Sequence, residues 1–148
     1  MAGVAGGDQP RNATSYPVAL SGLARLRDEV AQHGRSCGLP EQRVGDLVLI
    51  ANELTSNVVR HGGGTGWMQL WASDTAVYCE VTDRGAGIID PEQAGRRATS
   101  TDAYTGRGLW MIRQLGDEVH IESGPDGTTV RVALAHARPG PNGRRPAA

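Results

Sequence analysis

Glu53, Asn57 and His61 recur at every fourth residue of "ANELTSNVVRHGGG". At about 100° per residue that spacing sets them along one side of a helix. A carboxylate on such a face can accept a proton from an attacking hydroxyl or water. An amide oxygen one turn further on can ligate Mg²⁺, which takes oxygen ligands and keeps several waters. Two other stretches have comparable uses. "DRGAGI", Asp83 to Ile88, ends a run of β-forming residues. Its aspartate can accept a hydrogen bond from an exocyclic amine such as adenine offers. Its glycines, Gly85 and Gly87, let backbone approach a flat ring or a phosphate without Cβ clashes. "GRGL", Gly106 to Leu109, opens a helix after a polar loop, and a glycine-rich helix start presents free N–H groups to phosphate oxygens. Taken singly, these are a solvated helix face, a glycine loop and an ordinary helix start. Together, in this order, they describe a nucleotide site. Ile50 falls near the Glu53/Asn57 side, which does not suit a face meant only for water.

Composition narrows the architecture. The 148 residues suffice for one domain with a sizeable core. The net charge of −1 gives no basic field for general nucleic-acid affinity. No apolar run approaches the ~18 residues of a membrane span, and "MAGVAGGDQPRNATSYP" lacks the apolar core of a signal peptide, so a cytoplasmic protein is expected. Cys37 and Cys79 make no metal-type spacing and read as free thiols. All 15 basic residues are arginine. With no lysine there is no P-loop and no Schiff-base chemistry.

Residues 1–15 are Gly- and Ala-rich and read as a disordered tail; so do residues 136–148, which are rich in Pro, Gly and Arg. Between them, over 16–135, Leu20, Leu23, Ala24, Leu26 and Val30 fit an amphipathic helix ending near Gly34 to Gly38. A second helix starts at "LPEQ" and runs to about His61, with Val44, Leu47, Val48, Ala51, Leu54 and Val58 as its apolar stripe. "GWMQLWAS" and "AVYCEVTD" predict a hairpin. "ATSTDAYTG" reads as a loop and "RGLWMIRQLG" as a third helix. "DEVHIES" and "TTVRVAL" are strands joined by the turn "GPDG". "SYPVAL" is the one candidate for an N-terminal strand. Trp67, Trp71 and Tyr78 fit either the core or a dimer interface, with the core expected. The order indicates an α+β fold, a two-layer α/β sandwich.

The three motifs resemble those of the GHKL (Bergerat-fold) ATPase superfamily, named for gyrase, the ninety-kilodalton heat-shock chaperone, histidine kinases and the mismatch-repair ATPase. "NELTSNVVRHG" looks like its N-box, "DRGAGI" like its G1 box and "GRGLWMI" like its G2 box. Within it the likeness is to the anti-sigma-factor serine/threonine kinases of bacterial partner-switching systems. The resemblance implies a histidine-kinase-like ATPase domain with a mixed, mostly antiparallel sheet covered by about three helices. It also implies ATP or ADP with Mg²⁺ as ligands, and a transcription-regulating homodimer that sequesters a sigma factor. Such a protein phosphorylates an anti-sigma-factor antagonist protein on serine, with no direct nucleic-acid or membrane partner. By it Glu53 would be the general base and Asn57 the Mg²⁺ ligand. Asp83 would contact the adenine amine, with Gly85, Gly87 and Ile88 shaping the base pocket. Thr105, Gly106, Arg107, Gly108 and Leu109 would line the phosphates, under a loop from about Thr99. An alternative within the same fold is a nucleotide-gated binding protein with little catalysis. A two-component histidine kinase would need a phosphoacceptor histidine on a dimerising helix pair; His33 is the only helical alternative, and it reads as solvated or capping.

Overall fold

The computed structural model describes residues 12–87 and 107–137. Five strands and three helices follow in the order β1 (Thr14–Val18), α1 (Leu23–Ser36), α2 (Glu41–His61), β2 (Gly66–Ala72), β3 (Ala76–Asp83), α3 (Arg107–Leu115), β4 (Glu118–Gly124) and β5 (Gly127–Ala135). The sheet order is β1-β2-β3-β5-β4. Every neighbouring pair is antiparallel; β2–β3 and β4–β5 are hairpins, while α1 and α2 intervene between β1 and β2, and α3 and β4 between β3 and β5. The α+β sandwich expected from the element order is what forms.

Period-2 alternation places one set of rungs against the helices. Met68, Val81, Val130 and Ile121 align across four strands, and Leu70, Cys79, Val132 and Val119 form the next inward rung. Both rungs join Leu26, Val30, Leu47, Ile50, Leu54, Leu109 and Ile112 in one core. On the opposite face Trp71 stacks on Tyr78 with centroids 5.4 Å apart. Arg131 lies 5.1 Å over the Trp71 ring and pairs with Glu80 at 2.7 Å.

Two expectations need correcting. Trp67 is 56% exposed rather than in the core, because it occupies the outward position of β2 opposite Pro17 and Thr82. Leu20 is 72% exposed. It sits in a single 3-10 turn, Leu20–Gly22, whose threefold rotation takes it off the 3.6-residue stripe that begins at Leu23.

α2 is the axis of the molecule. Its 21 residues span roughly 30 Å. Pro40 precedes its first turn in extended conformation. It ends where the Gly62 N–H returns to the carbonyls of Asn57 and Val58. At its other end Arg43, 2% exposed, donates to the Ala135 carbonyl at 3.1 Å and to Asp46 at 2.9 Å. The same guanidinium donates to Asp117 at 2.5 Å, and Asp117 in turn accepts the Ala135 N–H at 2.6 Å. That buried cluster ties the start of α2 to the turn after α3 and to the end of β5.

Candidate functional site

The far end of α2 meets the end of β3 and the β4–β5 turn at one carboxylate. Asp83 is the last residue of β3 and is 6% exposed. Its Oδ1 accepts the Gly85 N–H at 2.9 Å and the Thr128 N–H at 3.1 Å. The backbone around it is packed so closely that side chains are excluded. A Cβ on Gly62 would stand 2.5 Å from Asp83 Oδ2, and one on Gly85 would stand 2.8 Å from the Gly62 Cα. Gly87 has φ +90° and lies against the Gly124 carbonyl. Only glycine satisfies both conditions without strain.

Thr128 completes this end. It is 3% exposed, and its hydroxyl lies 2.8 Å from that of Ser123. An open hollow of about 510 Å³ borders Asp83 on the side of the β4–β5 turn, lined also by Thr128, Ser123 and Asp126. It does not extend to Glu53 or Asn57, so it borders only one end of the candidate site.

The other end lies along α2. Asn57 is 4% exposed and Ile50 fully buried, so this side of the helix is no solvated face. Glu53 is half-buried and His61 exposed. The Glu53 carboxylate lies against the first turn of α3: a Cβ on Gly108 would stand 2.5 Å from Glu53 Oε2. Leu109 and Ile112 are fully buried and fix that turn, so Leu109 belongs to the core and offers the site only its backbone. Glu53 and Gly62 are nine residues apart on α2, roughly 13 Å along its axis.

The structure therefore gathers Asp83, Gly85 and Gly87 at one end and Glu53 and Gly108 at the other, with Asn57 on α2 between them. Ile88, Thr105, Gly106 and the Arg107 side chain lie outside the described residues, as does the expected loop from Thr99. Sequence reasoning missed Gly62 and Thr128. The glycine run after His61 carried a signal for Gly62, whereas Thr128 acts through an amide that reaches Asp83 across 45 residues. Among the described residues no group of three or more His, Cys, Asp or Glu side chains is placed to hold a metal ion. A divalent cation held by Asn57 would take most of its oxygen ligands from a bound ligand and water, as Mg²⁺ commonly does.

A helical layer on an antiparallel sheet, with a glycine-lined candidate site between its longest helix, a strand end and a helix start, defines an α+β domain, and its lysine-free sequence holds no P-loop. More narrowly, residues 16–134 match the histidine kinase-like ATPase domain family, and the chain belongs to it. A nucleotide is the ligand that this family implies. The anti-sigma F factor of Pasteuria penetrans is 33% identical over 98 residues, covering 60% of this chain and 65% of that protein. This chain thus spans just under two thirds of that relative. Among solved structures, the RsbU and RsbW domains of a Mycobacterium tuberculosis protein superpose with TM-score 0.62 at 20% identity, over 84% of this chain and 32% of that one. The SiaB–SiaC complex of Pseudomonas aeruginosa gives 0.60 at 10% identity, over 82% and 89%. At those identities the superpositions speak for the fold. No helix among the described residues is long and apolar enough to cross a membrane.

Proposed function

We propose that this chain is an ATP-binding anti-sigma factor with serine protein kinase activity. In this reading it sequesters a sigma factor and phosphorylates an anti-sigma-factor antagonist on serine. The observation that carries the nucleotide part is the buried Asp83 carboxylate, ringed by Gly62, Gly85 and the Thr128 amide. Such a carboxylate accepts from an exocyclic amine where no side chain bars a flat ring. The likeness to an anti-sigma F factor supports the regulatory part.

The residues divide the work by position. Asp83 orients the base, and Gly85 and Gly87 admit it. The N–H groups at the start of α3 meet phosphate oxygens. Asn57 supplies one oxygen to Mg²⁺, which would neutralise phosphate charge. Glu53 accepts the proton of the attacking serine hydroxyl. Most of the rate gain in phosphoryl transfer comes from such positioning and charge neutralisation. Homodimerisation belongs to the same proposal.

The test is incubation with Mg-ATP and candidate antagonist proteins, read by intact-mass spectrometry. A gain of one phosphate on serine with wild type, and none with Glu53→Ala, is the expected result. ATP binding with no transfer to any antagonist would leave a nucleotide-gated clamp, and calorimetry showing no nucleotide binding would sink both readings.

A further inference from the structure

We infer that Glu53 also determines how strongly this chain takes the charged end of its ligand, because its carboxylate stands against the first turn of α3, whose N–H groups would meet phosphate oxygens. The inference rests on the nucleotide reading above. The first N–H groups of α3 have no acceptor within the helix and carry the positive end of its dipole. They attract an anion. Glu53 Oε2 lies beside Gly108, in the first turn of that helix, 2.5 Å from where a Cβ on that residue would stand.

Neither helix is free to withdraw. Ile50 and Leu54 hold α2 to the core, and Leu109 and Ile112 hold α3. The carboxylate can leave only by rotation about its own side-chain bonds. A phosphate oxygen and a carboxylate oxygen cannot share the position, since both are anionic and of similar size. A polyphosphate must therefore turn Glu53 away before it reaches the α3 amides. It then binds beside a like charge. A nucleoside without phosphates reaches the Asp83 end and never meets this obstacle. Glu53 thus penalises phosphate-bearing ligands selectively, a role separate from proton transfer.

The experiment is calorimetric titration of wild type, Glu53→Gln and Glu53→Ala with adenosine, ADP and ATP in Mg²⁺. Glutamine keeps the size and removes the charge; alanine removes both. Both variants are expected to bind ADP or ATP roughly five- to thirty-fold more tightly than wild type. Adenosine affinity should stay the same in all three. Unchanged or weaker ADP and ATP binding by both variants overturns the inference and leaves the nucleotide reading standing. Tightening by alanine alone overturns the charge argument in favour of simple obstruction. Equal tightening for adenosine overturns the claim of selectivity. Failure of all three proteins to bind any nucleotide removes the reading beneath it.

Discussion

The two ends of α2 both bury charge, and they finish it in opposite ways. At the first end Arg43 meets Asp46, Asp117 and the Ala135 carbonyl, and Asp117 also takes the Ala135 N–H. Protein groups answer protein groups, and the space is filled. At the second end Asp83 is held by two amides, but its surroundings are bare backbone at Gly62, Gly85 and Gly127. Burial of an ionisable group does not by itself mark a functional site. What sets the second end apart is the open hollow that borders Asp83 beside the β4–β5 turn.

The strongest way to break this contrast is at the closed end. Arg43→Ala leaves Asp46 and Asp117 without their cation in a site where both are only 14–16% exposed. A loss of about 3–5 kcal/mol is expected from breaking such a pair, measured by urea denaturation. Nucleotide affinity of the folded fraction should be unchanged. Affinity that falls with stability would mean that the two ends are not separate devices. The next effect is at the open end. Gly62→Ala drives a methyl group onto the Asp83 carboxylate, costing about 1–3 kcal/mol by overpacking. It should weaken nucleotide binding more than tenfold, because Asp83 must shift. A variant that binds normally would detach Asp83 from the site. Gly45→Ala supplies the control on the same helix. That glycine is exposed with open space around it, so alanine should stabilise by about 0.8–1 kcal/mol without changing nucleotide affinity.

The open end was legible in the sequence and the closed end was not. Glu53, Asn57, Asp83 and the glycines stand in short motifs whose spacing already fixes their local geometry. The helices and hairpins also followed from local period and turn residues, whereas the brief β1 left only a weak candidate in "SYPVAL". Arg43, in contrast, sits in "PEQRVGD" and reads as a solvated first turn. Its burial depends on Asp117 and Ala135, 74 and 92 residues away. Thr128 escaped for the same reason: its amide serves Asp83 across 45 residues. Trp67 was misplaced because strand alternation gives two faces without saying which one the helices cover.

The span between the two ends is dry, and Cys79 tests that most gently. It lies midway along β3, which runs from Ala76, opposite Ala135, to Asp83. Cys79 is 1% exposed, and burial, helped by the neighbouring Glu80, pushes its thiol up to about 12 from an ordinary value of 9.0. The native state therefore keeps this proton over a range where the unfolded chain has released it. The native state binds more protons there, so stability falls as pH rises. The contribution is intact below pH 9 and is lost progressively towards pH 12. The loss amounts to about 0.4 kcal/mol at pH 9 and grows above it. Denaturation of wild type and Cys79→Ala at pH 7, 9 and 10 should show a steeper alkaline decline in wild type alone. Matching declines would mean that water reaches the middle of β3, and the separation of a sealed end from an open one would then fail along the strand that joins them.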